Sequence, residues 1–198
     1  MPRIMLQLAT QQVSLFFVTY VIASRFGDGG YPVNENSTPA GSIKRLKGVF
    51  EARFERLFEH DRDVVWRMLT DPQAFVQWLA PGTIELCAGG IVHIDFGDSG
   101  TTIESTVLQL EPQRLLEYSW SSGDEPTRPL CWELQTTGTG TRLILTLRLP
   151  ETEDIVKACA GFDAHLEMMA AALEGVPIRF PVDYYLNRRR VYQGLLPE

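Results

Sequence analysis

Beyond residue 82 the chain carries one long helical apolar stripe, and it comes after the strands. Ile155, Cys159, Phe162, Leu166, Met169 and Leu173 recur every three or four residues across 153–174, the spacing that aligns side chains on one helix face. Gly175 follows as a stop signal. Residues 82–150 read differently. Short runs rich in β-branched and aromatic residues cover 83–87, 91–96, 102–110, 115–121, 130–136 and 142–149. Turn-forming residues separate them, among them Gly89-Gly90, Glu111-Pro112, Pro126 and Gly138-Thr139-Gly140. Six strands at this spacing make an antiparallel meander. A sheet with one apolar face has to be covered, and this helix is the long element available to cover it.

The stretch before the meander supplies one more strand and two short helices. Phe50, Ala52, Phe54, Arg56 and Phe58 alternate with Glu51, Arg53, Glu55 and Leu57, so a seventh strand runs over 50–58 with one buried face. Asp61 or Asp63 can cap a helix whose inner face is Val64, Val65, Met68 and Leu69. Asp71-Pro72 ends that helix and starts the next, because proline restricts the residue before it and suits a first helical position. Phe75, Trp78 and Leu79 share a face of this second helix, and Pro81-Gly82 closes it.

Val65-Trp66, Leu69-Thr70-Asp71-Pro72, Trp78, Gly89-Gly90, Glu111-Pro112, Tyr118-Ser119-Trp120, Thr141 and Gly161-Phe162 occur in that order. In order and spacing they resemble the activator of heat-shock protein 90 ATPase homologue-like domains, within the START-like, polyketide-cyclase (SRPBCC) superfamily. The resemblance covers roughly 49–175. It implies the fold that the element order also suggests: an α+β helix-grip, with a seven-stranded curved antiparallel sheet wrapped around a long C-terminal helix and two short helices after the first strand.

The expected organisation is then an N-terminal extension over 1–48, flexible or partly misassigned, a helix-grip domain over 49–175, and a tail over 176–198 forming a short packed helix. Residues 13–23 are apolar but fall short of the roughly 20 residues that span a bilayer. Gln7, Gln11 and Gln12 precede them, and no clean Ala-x-Ala site follows. A signal-like leader and an added strand are the other readings of that run. Residues 27–42 are linker-like, and the sequon at Asn36 matters only in a secreted chain. In the tail, Arg188-Arg189-Arg190 read as a solvated face or local ion pairs.

The formal net charge is −7, and basic residues are in excess at both ends, so the middle is more acidic than the whole. That argues against nucleic acid and anionic membranes as partners. Cys87, Cys131 and Cys159 have no zinc-like spacing and read as reduced core residues, which fits a cytoplasmic protein. No metal or cofactor is expected. Signatures of acyl transfer, phosphoryl transfer and metal hydrolysis are missing from the sequence.

The candidate ligand-binding residues are Trp78, Phe96, Tyr118, Trp120, Trp132, Phe162 and His165. An apolar pocket with a few polar groups is the usual small-molecule site, although aromatic side chains also simply fill cores. His165 lies beside Phe162 on the long helix and can act as an acid, a base or a hydrogen-bond donor. His93 and Asp95 share a strand face, with Glu104 opposite; a dyad and a polar solvent face explain them equally well. His60 is expected to be exposed. The leading expectation is a binding module for a small hydrophobic or aromatic molecule, with no catalytic residue assigned. The alternatives are a polyketide cyclase- or aromatase-like enzyme and a chaperone-associated interaction domain. A homodimer or a protein partner remains compatible with all three.

Overall fold

A computed structural model describes residues 39–97 and 101–197. Most of the N-terminal extension, including the apolar run, the sequon and much of the linker, lies outside the described residues, as does the turn at 98–100. The described residues open with a hairpin of β1 (Ser42–Leu46) and β2 (Val49–Phe58). Two helices follow, α1 (Arg62–Thr70) and α2 (Pro72–Phe75). The meander comprises β3 (Gly82–Ile84), β4 (Ile91–Asp95), β5 (Thr102–Glu111), β6 (Leu115–Ser119), β7 (Pro129–Thr137) and β8 (Gly140–Pro150). The long helix α3 (Ile155–Leu173) and a tail helix α4 (Val182–Gln193) complete the chain.

All strands join one antiparallel sheet in the order β1-β2-β8-β7-β6-β5-β4-β3. It has eight strands, not the seven expected from the sequence. The extra one is β1, within the stretch read as an extension. Of its side chains only Ile43 is buried, so it carried no alternation to read; it is held by backbone pairing to β2 from Ser42↔Arg53 to Leu46↔Val49. β3 is shorter than expected: beyond Ile84 one ladder bond to β4 remains, the Glu85 N–H donating to the Ile91 carbonyl at 2.9 Å. Glu85 also braces the Gly89-Gly90 turn, its carboxylate accepting from the Ile91 N–H at 2.9 Å.

β2 pairs with β8 over its whole length, yet the next strand, β3, lies at the far edge of the sheet. The connection through α1 and α2 therefore crosses the width of the sheet. It buries Val65, Met68, Leu69, Phe75 and Trp78 as it crosses. Asp71 caps α2 as expected, accepting from the Gln73 N–H at 2.8 Å, whereas the Asp61 side chain makes no cap bond at α1. The β7–β8 hairpin closes on Gly140, at φ 149°, where an added Cβ would lie 2.1 Å from the Phe58 carbonyl oxygen. That close approach fixes the end of β2 against the hairpin.

Phe50, Ala52, Phe54, Arg56 and Phe58 are all buried, as the alternation requires. Helix α3 is buried nearly all round. The sheet covers its apolar stripe and α4 packs on its other side. Among the described residues no helix is long and apolar enough to cross a membrane.

Candidate functional site

The α3 backbone comes nearest the sheet at β2. Further along the sheet large side chains make the contact with α3, Trp120 against Phe162 among them. Every candidate ligand-binding residue lies on the side of the sheet that faces α3, and five of the seven fall into two ring assemblies.

In the first, Trp78 packs edge-on to Phe75 and to Trp132, with ring centroids 5.5 and 5.7 Å apart. Both tryptophans are fully buried. The Trp78 indole N–H donates to the Met68 carbonyl at 2.8 Å, satisfying one of the acceptors left over in the last turn of α1. Trp78 is thus locked by packing and by a hydrogen bond. Tyr118 is also fully buried, and its phenol proton finds no acceptor. Burial raises its pKa, and the nearby Trp132 indole lowers it only in part.

In the second assembly, Phe96, Trp120 and Phe162 form a chain of edge-on rings with spacings of 5.9 and 5.2 Å. Phe96 is half-buried and the other two are buried. This line of rings runs from the partly exposed end of β4 to the middle of α3. Rings packed edge-on stabilise each other by about 0.5–1.5 kcal/mol beyond their area burial. The strand end carrying Trp120 is held by Arg128, whose carbonyl accepts from the Trp120 N–H at 2.7 Å. Arg128 itself is buried and is engaged by Glu153 at 2.8 Å and Glu125 at 2.9 Å.

His165 touches both the site and the tail. Its Nδ1 lies 2.9 Å from the Trp78 carbonyl oxygen. A carbonyl only accepts, so Nδ1 carries the proton and Nε2 the lone pair. Its ring packs on Phe180, which packs on Tyr185 of α4. Burial pushes the imidazole down to about 4, with the Trp78 carbonyl pulling it partly back. It is neutral at physiological pH.

His93 and Glu104 are directly paired across β4 and β5, at 3.7 Å, and both are exposed. That is the solvent-face reading. His60 is half-buried rather than exposed: its backbone carbonyl accepts from Thr141 at 2.7 Å, tying the end of β2 to β8. The cysteines are all free, but Cys87 is exposed and Cys131 half-buried, so only Cys159 sits in the core. Among the described residues no group of His, Cys, Asp and Glu could hold a metal ion.

A buried polar cluster escaped the sequence reading. Asp163 on α3 is fully buried and accepts from Arg56 of β2, from Arg188 and, at 2.8 Å, from the Tyr192 hydroxyl of α4. The Tyr192 oxygen in turn accepts from the Gly41 N–H at 2.8 Å. Arg188 is therefore buried in an ion pair and Arg189 is half-buried, 3.6 Å from Asp154, so the local ion-pair reading holds for these two, while Arg190 is exposed. The available signal was Arg56, a charge at an inward position of β2, which demands a buried counter-charge.

A curved antiparallel sheet gripping one long helix, with aromatic side chains in the space between, defines a helix-grip protein. The chain belongs to the Activator of Hsp90 ATPase homolog 1-like protein family, whose sequence model matches residues 59–174. Solved structures share the fold. CalU16 from Micromonospora echinospora is 21% identical with a TM-score of 0.62, covering 79% of this chain and 95% of that one. EF2215 from Enterococcus faecalis, a conserved protein of unknown function, is 19% identical with a TM-score of 0.65, covering 79% and 92%. DynU16, from the dynemicin biosynthetic locus, is 27% identical with a TM-score of 0.59, covering 64% of this chain and 48% of that one. No curated protein matches the chain.

Proposed function

We propose that this chain is a binding module that holds a small hydrophobic or aromatic molecule between the sheet and α3. The observation that carries the reading is the line Phe96–Trp120–Phe162, which leads from a half-buried ring at the strand end to the helix centre. Edge-on rings offer their faces to a flat ligand, and burying such a ligand in apolar surroundings is favourable by about 25 cal/mol per Å². Three free cysteines suit a reducing compartment, so we assign the module to the cytoplasm. The test is native mass spectrometry of the protein purified from its own cells, compared with denatured protein. A small mass that rides with the folded chain and is lost in Trp120→Ala supports the reading. Intact folded protein without added mass, and with no affinity for aromatic probes, overturns it.

One observation favours a second reading, a cyclase- or aromatase-like enzyme. His165 is neutral and held through its Nδ1–H, leaving the Nε2 lone pair to accept a hydrogen bond at the helix. DynU16, which shares the fold, comes from a biosynthetic locus. Under this reading His165→Gln abolishes turnover while ligand affinity changes little. Under the binding reading no turnover exists to lose.

A further inference from the structure

Among the described residues, two buried hydroxyls on the core face of the sheet have no acceptor for their protons. They are Tyr118 Oη on β6 and Ser105 Oγ on β5. Strand register places them together. Residues directly opposite in an antiparallel pair point to the same face. Ser105 is opposite Val92, and Ile103 is opposite Ile94, and those three apolar residues are buried. Tyr118 is opposite Val107, two residues beyond Ser105 on the same face of β5. The two hydroxyl-bearing residues are thus diagonal neighbours on adjacent strands, about 7–8 Å apart at the backbone.

A buried hydroxyl without a partner costs about 1–3 kcal/mol. Native structures leave few such groups, and each calls for a water, an ion or a ligand. Two on one face, flanked by the ring assemblies, mark the polar end of an otherwise apolar site. The Trp132 indole lies near the Tyr118 phenol oxygen, so the Tyr118 O–H is left free to donate. The surroundings also set the charge. The buried cations among the described residues are Arg56, Arg128 and Arg188. Asp163 engages the first and last, and Glu125 and Glu153 engage Arg128. An anionic ligand would be buried without a counter-charge of its own, which is strongly unfavourable.

We infer that the ligand is a neutral aromatic molecule bearing an oxygen, a ketone or a hydroxyl, held at the sheet by Tyr118 and Ser105. This rests on the binding reading above and goes further by naming the ligand's chemistry. A hydrocarbon leaves both hydroxyls orphaned, and a carboxylic acid brings an uncompensated charge.

The test uses three probes of one shape on the full chain: 2-naphthol, 2-methylnaphthalene and 2-naphthoate, each titrated by tryptophan fluorescence. A purely apolar site prefers the methyl compound, which is the more hydrophobic. The expected result is the reverse, with 2-naphthol bound about tenfold more tightly than 2-methylnaphthalene and 2-naphthoate bound weakest. In Tyr118→Phe and Ser105→Ala that preference shrinks, and in the double variant it disappears. The thermal midpoint of Tyr118→Phe stays the same or rises, because the change removes an unsatisfied group. Equal binding of 2-naphthol and 2-methylnaphthalene overturns the inference and leaves the binding reading standing, as does a preference for 2-naphthoate. A Tyr118→Phe midpoint lower by more than about 5 °C also overturns it, since the hydroxyl then has a partner inside the protein. Binding of none of the three removes the binding reading and this inference together.

Discussion

His165 shows how much one position depends on its surroundings. On the helix it falls off the centre of the apolar stripe, where a histidine at a boundary is the expectation. In the fold, Phe180 covers its ring and the Trp78 carbonyl accepts from its Nδ1–H. Its pKa of about 4 lies below the roughly 6.5 of an exposed imidazole. Between those values the unfolded chain binds a proton that the folded chain does not, so stability rises with pH across that window. Above about pH 6.5 the group contributes no slope. As pH falls from 6.5 to 4, wild type loses roughly 3 kcal/mol through this group. His165→Gln lacks that component. Urea unfolding of both proteins at several pH values measures it, and a stability difference that stays constant with pH would show that the imidazole is not desolvated. Arg56 makes the same point with a charge: β2 alternation placed it inside, but only the fold supplied Asp163.

At the scale of elements, Asp163 joins β2, α3 and α4, and through Tyr192 it reaches Gly41 just before β1. The tail helix is thereby part of the domain, and the edge strand is tied to it. α4 has too few apolar positions to be held by burial alone: its buried residues are Tyr185, Arg188 and Tyr192. Two of those three contact Asp163. Removing one partner of a buried ion cluster costs about 3–5 kcal/mol, because the remaining charges stay buried. Asp163→Asn is expected to lower unfolding free energy by that amount. Amide exchange should quicken first in α4 and β1, while the central pairs of β7 and β8 stay protected. A loss below about 1 kcal/mol, or uniform exchange, would place the cluster in solvent and uncouple the tail from the strand.

At the scale of the whole molecule, a ligand bound only by the folded state raises stability by mass action. At about a hundred times its Kd the gain is about 2.7 kcal/mol. For a domain of this size that corresponds to a rise of roughly 5–10 °C in thermal midpoint. Thermal scans with 2-naphthol test this. A midpoint that does not move at saturating probe would put the binding on the surface or in the unfolded chain.

Much of the fold was legible in the sequence, because its signals are local. Period-two alternation over β2, turn residues between the meander strands, Asp71-Pro72 between the short helices and the stripe on α3 are each written within a few residues. β1 was not legible, since an edge strand with one buried side chain is held by backbone bonds that any sequence can make. The seven candidate site residues do share the inner side of the sheet. The grouping of five of them into two ring assemblies depends on which strands are neighbours, as does the meeting of Ser105 with Tyr118. Alone, the sequence determined every element from β2 onward, their order and the covering of one sheet by one helix, through periodicity and turn chemistry. Only the tertiary structure decided which charges are paired, which hydroxyls are left over and how far the imidazole is shifted. Desolvation and counter-charge come from residues distant in the chain, as at Arg56 and Asp163, 107 positions apart, and no local pattern carries them.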